Sequence, residues 1–334
     1  MKSSLRIVLA GGSGHIGNVL SRYFRSAGHR VTVLSRNRNT SSADVVYWDG
    51  AKLGTWVSAL ETADVLINLA GRSVNCRYTP ANRREIVESR VQPTMLLCRA
   101  IGKVANPPRI WINSSTATIY RHSFDRDMDD GGELGGSEHD VPANWQFSVE
   151  VAKRWEEAFF SCSTPGIRKL AIRTAVVMSP DRGSIFDVLL RLVRFGLGGK
   201  VASGRQYVSW IHELDFARAV DYLISHPELN GPINVAAPNP LTNRDFMLVL
   251  RKAWGAKLGL PASQLTLAIG TFLLRTESEL VLKSRRVVPR TLMQNGFQFR
   301  FPQWPEAAQD LVQRWREPVH PCADAKPPRP QGST

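Results

Sequence analysis

The chain has 334 residues, enough for one large domain with a smaller one or for two domains of ordinary size. Hydrophobic residues make up 43% and charged residues 22%, so the composition is that of a globular protein and excludes a disordered one. The longest apolar run, at 265–274, is too short for a membrane span, which takes about 20 residues. We expect no membrane segment, and the first residues lack the long apolar core of a signal peptide.

The formal charge of +14 raises the question of a nucleic-acid partner. The basic residues are dispersed and no aromatic-interleaved patch accompanies them, which favours a basic surface on a protein with an anionic cofactor over nucleic-acid binding. Four cysteines (Cys76, Cys98, Cys162 and Cys322) show no metal-ligand spacing. We expect free thiols in a reducing cytoplasm, and no metal site.

Strand and helix patterns alternate along the first 200 residues. Residues 5–10 form a short β-branched run that ends at glycines, as a buried strand does, and residues 16–27 carry apolar side chains at helical spacing. The same patterns predict strands at 29–37, 64–71, 109–120 and 169–178, and helices at 80–103, 148–160 and 184–195. This alternation predicts βαβ units, and hence an α/β Rossmann-type fold with a doubly wound parallel sheet.

The loop at 121–144 is acidic and glycine-rich, and no ligand spacing repeats in it, so we expect a solvated loop over an active-site mouth. Asp215 precedes an apolar-periodic run and is expected to cap a helix. Thr242, with Asp245 three residues later, resembles a capping box.

These patterns divide the chain into three parts. We expect the Rossmann domain with its substrate-binding insertions at 1–250 and a smaller, α-rich C-terminal domain at 255–314. The last part, 316–334, is Pro-rich and is expected to be disordered.

Glycines at 11, 14 and 17 form a GxxGxxG pattern between the first strand and the first helix. The first glycine permits a tight turn, the second lets backbone approach a pyrophosphate, and the third lets helix and strand pack closely. Unpaired N–H groups at the helix start then face the phosphates. We therefore predict a dinucleotide cradle made of Gly11, Gly14, His15, Ile16 and Gly17, in which His15 either contacts the pyrophosphate or points to solvent.

The end of the second strand predicts which dinucleotide binds. NAD-binding proteins place an acidic residue there for the ribose 2′-hydroxyl, but residues 34–39 read LSRNRN. Ser35 and Arg36 suit a 2′-phosphate, which a guanidinium can pair with. We predict NADP(H) as the cofactor; the alternative is that Arg36 only coats the surface.

Several motifs together resemble a known family. The glycine pattern, NLAG at 68–71 and SSTATIY at 114–120 resemble the extended short-chain dehydrogenase/reductases, especially nucleotide-sugar epimerases. The stretches 203–215, 231–246 and 285–302 resemble an NAD(P)-dependent, epimerase-like subgroup that ends in a small domain of unknown function. The resemblance covers about 1–315 and implies an NADP(H)-binding Rossmann fold without a settled substrate. It also places Leu69, Ala70, Gly71 and Ser114 beside the cofactor.

Members of that superfamily use a Ser or Thr, a Tyr and a Lys. The phenol exchanges a proton with the substrate as hydride moves, the ammonium favours the ionised phenol and holds the nicotinamide ribose, and the hydroxyl orients the carbonyl. Thr116 falls where the Ser or Thr belongs.

The helix expected to carry the Tyr and the Lys contains no tyrosine. One frame puts Val149 and Lys153 at the two positions, and the neighbouring frame puts Ser148 and Ala152 there. Tyr120 is the candidate substitute, with packing against the cofactor or a substrate loop as the alternative. Lys153 either holds the ribose or is exposed to solvent.

The substrate region also departs from the family. Nucleotide-sugar epimerases commonly carry an Arg for the diphosphate where Val208 stands here. We expect Gln206, Ser209, Trp210 and His212 to line a pocket for something smaller or flatter; the alternative for His212 is a buried helix cap.

Two functions follow from these features. The first is an NADP(H)-binding epimerase or oxidoreductase acting on an unidentified small molecule. The second is a catalytically weak or silent NADPH-binding sensor or scaffold. By analogy with the family, the helices at 80–103 and 148–160 would form a homodimer.

Overall fold

The computed structural model describes residues 4–37, 44–139, 141–262 and 279–317. Its amino-terminal half contains β1 (Arg6–Ala10), α1 (His15–Ser26), β2 (Arg30–Ser35), β3 (Val45–Tyr47), α2 (Ser58–Glu61), β4 (Val65–Asn68), α3 (Pro80–Ile101), β5 (Ile110–Thr116) and α4 (Ala143–Phe160). The second half contains β6 (Arg168–Thr174), β7 (Val176–Met178), α5 (Ile185–Arg194), β8 (Tyr207–Val208), β9 (Trp210–His212), α6 (Glu213–Ser225), β10 (Gly231–Val235), β11 (Leu241–Thr242), α7 (Asn243–Trp254), α8 (Glu279–Leu282), α9 (Arg290–Gln294) and α10 (Trp304–Arg316).

Seven parallel strands form the central sheet, in the order β10, β6, β5, β4, β1, β2, β3. The strand order reverses between β1 and β4, because the chain first builds outward to β3 and then returns to the other side of β1. A crevice forms at such a switch point, outside the carboxyl ends of the strands. The predicted fold is confirmed, and the glycine turn lies at this crevice.

Alternate residues along the strands point to opposite faces of the sheet and belong to two separate hydrophobic cores. Leu9 and its neighbours pack under α1 and α6, where Phe24 and Phe216 are completely buried. Val8 belongs to the opposite core, together with Trp111 from β5 and residues of α3 and α4. Helices on both faces are what the near-continuous apolar strands predicted.

A third core joins the carboxyl-terminal segment to the rest of the protein. It contains Phe186, Trp210, Phe246 and Trp304, so α10 packs directly on α5 and α7. Within its described part, the predicted domain at 255–314 therefore shares this core with residues 178–254. The predicted tail at 316–334 lies outside the described residues beyond Glu317.

The expectation of free thiols is wrong for two of the cysteines. Cys98 in α3 and Cys162 just after α4 form a disulfide, with their Cα atoms 6.0 Å apart. The two helices pack side by side, and that proximity is invisible in a sequence separation of 64 residues. Cys76 is free, and Cys322 lies outside the described residues. The disulfide removes the thiol argument for a reducing compartment.

The described ranges lack two further features. None of their helices is both long and apolar enough to cross a bilayer. Nor do those ranges bring three or more His, Cys, Asp or Glu side chains together in a group that could hold a metal ion.

Candidate functional site

The glycine turn after β1 is built by backbone contacts that exclude any side chain. Gly11 has a φ of +72°, and a Cβ there would lie 2.8 Å from the Ala70 Cα. A Cβ on Gly17 would overlap the carbonyl oxygen of Gly12. Gly14 is different, because a Cβ there would meet nothing within 4 Å. We call residues 11–17 the cradle: its first and last glycines close the turn, and its middle glycine faces open space.

The first turn of α1 is suited to an anion. Gly14 is its N-cap, no side chain caps it, and its first turn has no acidic residue. The N–H groups at a helix start carry partial positive charge and bind phosphates. Ile16 packs partly against the core, so what it offers the site is its backbone N–H.

His15 lies beside this turn. Its Nδ1 is 3.8 Å from the Asp181 carboxylate, and burial lowers the pKa of the imidazole despite that carboxylate. Its buried Nε2 has no hydrogen-bond partner among the described residues. A buried polar atom without a partner is expensive, which fits a group that binds here.

The end of β2 has the features expected for a phosphorylated ribose. Ser35 is buried, and its Oγ accepts a hydrogen bond from the Asn37 N–H at 3.1 Å. Arg36 is exposed and makes no ion pair with a described residue. The guanidinium is thus available to an anion beside the cradle.

Asn68 fixes the loop that faces Gly11, a role that sequence reasoning missed. Its buried amide donates to Thr94 at 3.0 Å and to Asn113 at 2.7 Å, and its oxygen accepts from the Ala70 N–H at 3.1 Å. Leu69 is tied to β1, since its N–H donates to the Ala10 carbonyl. The predicted Leu69–Gly71 segment therefore borders the cradle.

A cavity of about 130 Å³ opens beyond the end of β5, and its lining shows which face of α4 points into it. It is lined by Thr116, Thr118 and one face of α4, to which Ser148 and Ala152 belong. Ser114 lies two residues before Thr116, on the same side of the strand. Of the two frames, the one that puts Ser148 and Ala152 at the family's Tyr and Lys positions is therefore the one that faces the same cavity as Thr116.

The structure places Lys153 as in the alternative given for it. Lys153 is exposed and lies one residue past the cavity face of α4. A Cβ on Gly136 would be 3.6 Å from its Nζ, so the ammonium lies against the loop after β5. A rotation of about 100° per residue along a helix carries it away from Thr116.

Tyr120 also has a structural role. Its side chain is 1% exposed, its hydroxyl donates to the Asn234 Oδ1 at 2.8 Å, and it accepts from the Arg173 guanidinium at 2.9 Å. Arg173 is itself held by a two-pronged buried salt bridge to Glu156. Burial raises the pKa of Tyr120 to about 12. A phenol that is buried and bonded on both sides does not serve as the acid predicted for it.

Three of the four predicted substrate residues, Ser209, Trp210 and His212, contact the carboxyl-terminal segment, and none of the four lines the cavity beside Thr116. Ser209 donates to the Arg285 carbonyl and accepts from the Val287 N–H, at 2.7 and 2.8 Å. Trp210 is fully buried against Trp304. Gln206 is 3% exposed and donates to the Val201 carbonyl.

His212 follows the alternative given for it. Its Nδ1 accepts from the Leu214 N–H, so it is the N-cap of α6 in place of Asp215, and its Nε2 lies 3.0 Å from the Asp310 carboxylate. Asp215 instead accepts the N–H groups of Arg300 and Phe301. Thr242 caps α7 by accepting from the Asp245 N–H, as predicted.

The loop after β5 is less solvated than predicted. Met128 within it is 1% exposed and bridges to Val287, and its N–H donates to the Arg286 carbonyl. This loop therefore packs against the segment that follows α8.

Several residues that line or back the cavity carried no sequence signal. Tyr78 and Arg90 enter it from the start and the middle of α3. Glu279, Lys283 and Arg285 approach from behind Thr118 and Ser148. A larger cavity, of about 590 Å³, opens at the amino ends of the strands around Asp64, away from the cradle.

Comparison with known proteins places this geometry in a family. The model of the NAD dependent epimerase/dehydratase family matches residues 7–236, and that of a domain of unknown function (DUF1731) matches residues 261–311. The mouse (Mus musculus) epimerase family protein SDR39U1 is 30% identical over 92% of this chain and all of its own length.

Two solved structures are similar along most of the chain. The human epimerase family protein SDR39U1 (isoform 2) with NADPH has a TM-score of 0.80 at 26% identity, covering 92% of this chain and 99% of its own. A nucleoside-diphosphate sugar epimerase from Corynebacterium glutamicum has a TM-score of 0.73 at 28% identity, covering 93% of this chain and 58% of its own. The parallel sheet, the glycine cradle and these matches together show that the chain belongs to the NAD dependent epimerase/dehydratase family.

Proposed function

We propose that this protein binds NADP(H) and uses it to reduce, oxidise or epimerise a small carbonyl or hydroxyl compound. The observation that carries the proposal is the uncapped first turn of α1, which offers its N–H groups to open space at Gly14. The human relative crystallised with NADPH supports the same cofactor.

The residues of the cradle fit a dinucleotide. The N–H groups at the start of α1 would hold the pyrophosphate, and Arg36 would pair with the 2′-phosphate of the adenosine ribose. Bound NADP(H) would supply or accept a hydride in the cavity beside Thr116. The Thr116 hydroxyl accepts from the Thr118 N–H at 3.2 Å, which leaves its own hydrogen to donate to a substrate oxygen.

Cofactor titration tests this proposal directly. We expect NADPH to quench the protein's tryptophan fluorescence at concentrations at least tenfold lower than NADH requires, because only NADPH can pair with Arg36. Equal affinities for NADPH and NADH would mean that Arg36 does not contact the cofactor. The absence of any binding would overturn the proposed function.

A silent NADPH-binding sensor or scaffold is the second candidate. Ser148 and Ala152 favour it, because neither can replace the phenol and ammonium of active relatives. A screen of small aldehydes and ketones for NADPH oxidation at 340 nm separates the two functions. Turnover that scales with protein concentration supports the enzyme, and NADPH binding without turnover supports the sensor.

The homodimer stays a prediction. We propose pairing through the outer faces of α3 and α4, where Met95 is 41% exposed. Light scattering of the purified protein would return twice the chain mass of 37.2 kDa if the pairing occurs.

A further inference from the structure

A phenol lies in the cavity although α4 supplies none. Tyr78 lines the same cavity as Thr116, and its hydroxyl is 3.2 Å from the Oγ of Ser148, the residue at the family's Tyr position. We propose, on the basis of the NADP(H)-dependent function above, that Tyr78 exchanges the proton with the substrate. Ser148 and Glu279 act as positioning residues for its phenol.

The hydrogen bonds determine which way the hydroxyl groups of Tyr78 and Ser148 point. The Ser148 hydroxyl donates to the Glu279 Oε2, and Glu279 is completely buried. A hydroxyl that donates to a carboxylate accepts from its other neighbour, so the Tyr78 O–H points to Ser148 in the resting protein and rotates about its C–O bond toward the substrate oxygen before the proton is transferred. We call Tyr78, Ser148 and Glu279 the proton-transfer cluster.

The backbone and the ring of Tyr78 are both held in place. The next residue, Thr79, caps α3 by accepting from the Asn82 N–H, and the Tyr78 carbonyl accepts from Arg83. The ring packs edge-on against Phe147 with their centroids 5.0 Å apart. A side chain fixed in this way presents its oxygen without a cost of ordering at the moment of reaction.

Two guanidinium groups act on the phenol, as a Lys does in relatives that have the usual pair. Arg90 and Arg285 both interact electrostatically with Tyr78. Arg90 borders the cavity and has no carboxylate partner among the described residues; it donates instead to the carbonyls of Arg72 and Ile86. Buried cations beside a phenol stabilise its ionised form.

Arg285 is shared with the carboxylate end of the cluster. Its guanidinium lies 4.0 Å from the Glu279 carboxylate, and the Lys283 Nζ lies 3.9 Å from it. Both cations thus face the carboxylate that accepts from Ser148.

The reducing step balances with these groups. The carbonyl carbon of the substrate receives the hydride that bound NADPH supplies, and the π electrons of the C=O bond move to oxygen. That oxygen takes the Tyr78 proton, which leaves an alcohol and a tyrosinate. A proton from water, passed through the Ser148 hydroxyl, restores the phenol.

The first test reads the position of the phenol without any turnover. All six tyrosines are replaced by 3-fluorotyrosine, and the ¹⁹F signal of position 78 is assigned by its loss in Tyr78→Phe. We expect this signal to shift when NADPH saturates the protein and again in Ser148→Ala. The signal of Tyr222 on α6, whose hydroxyl donates to the Asn295 carbonyl, serves as the control that does not move. A signal of Tyr78 that ignores NADPH, while fluorescence shows binding, overturns the inference.

The second test uses a carbonyl compound found in the NADPH-oxidation screen. We expect Tyr78→Phe to lower kcat at least 100-fold, because positioned acid–base catalysis contributes about 10²–10⁴-fold. Its Kd for NADPH stays within twofold of wild type, which also shows that the variant folds. Tyr222→Phe is the matched control with unchanged kcat. Full activity in Tyr78→Phe rejects the role of Tyr78 and leaves the proposed function intact, whereas absence of NADPH binding in wild type rejects the proposed function itself.

Discussion

The cradle and the proton-transfer cluster are built in opposite ways. The cradle is made of backbone from one contiguous stretch, and its first and last glycines, Gly11 and Gly17, are required because side chains there would collide with Ala70 and Gly12. The proton-transfer cluster is made of side chains, and its hydrogen bonds span 70 and 131 residues of sequence. A turn built from backbone tolerates few substitutions. A proton donor, in contrast, can be supplied by any segment that brings its side chain into the cavity. If this contrast holds, substitutions in the cradle should weaken cofactor binding, and substitutions in the proton-transfer cluster should lower turnover without affecting that binding.

Gly17→Ala should have the largest effect. The new methyl group overlaps the Gly12 carbonyl, so α1 must move away from β1 and take its N–H groups with it. We expect NADPH affinity to fall more than about 100-fold, together with a loss of about 1–3 kcal/mol in the free energy of unfolding. Fluorescence titration and urea denaturation measure the two.

Gly14→Ala is the matched variant for that experiment. Its methyl group meets no protein atom within 4 Å, and its φ of −81° suits alanine, so stability should be unchanged. NADPH should still bind more weakly, because the methyl group fills space meant for the pyrophosphate. Unchanged affinity in Gly14→Ala would show that the dinucleotide does not approach the cradle.

Arg36→Ala should have the next largest effect. It removes the guanidinium beside the predicted 2′-phosphate, and a charge-assisted pair of this kind contributes about 1.5–3 kcal/mol. We expect the Kd for NADPH to rise roughly 10–100-fold and the Kd for NADH to stay the same. A parallel loss of both affinities would mean that Arg36 supports the fold of the β2 end and does not select the cofactor.

Tyr120→Phe should affect stability alone. The variant leaves the Arg173 guanidinium and the Asn234 amide without the phenol oxygen, and a buried unsatisfied group costs about 1–3 kcal/mol. Urea denaturation should show that loss, while kcat and the Kd for NADPH remain those of wild type. A drop in kcat without a loss of stability would return Tyr120 to the catalytic role that the sequence suggested.

The same contrast explains what could be predicted from the sequence. The tight turn at Gly11 and Gly17 was identifiable because a strand, a turn and a helix follow one another in the chain, so local pattern fixes their surroundings. The frame of α4 was not identifiable, because choosing between Ser148 and Val149 requires knowing which face of the helix meets β5. Local pattern could not choose between the two interpretations of His212 or indicate the bonds of Ser209, because their partners, Asp310 and Val287, come from a segment whose docking no local pattern reveals.

The smallest expected effect concerns Lys283, which lies behind the proton-transfer cluster. Its charge makes the free energy of unfolding depend on pH. Burial, with the positive charge of Arg285 acting in the same direction, lowers the pKa of Lys283 to about 8 from its ordinary 10.5. Between these two values the unfolded chain binds more protons than the folded one, so this group makes the protein more stable as pH rises.

Lys283→Met removes that dependence. The free energy of unfolding of wild type, relative to the variant, should rise by about 1.5 kcal/mol between pH 8 and 9.5. Urea denaturation at several pH values measures the difference, and the range stops below pH 10 because burial also raises the pKa of Tyr23 to about 12, which acts in the opposite direction at higher pH. Parallel curves for wild type and variant would mean that Lys283 remains charged beside Glu279. Lys283 and Arg285 would then both stay charged, and the charge around Tyr78 would not change with pH in this range.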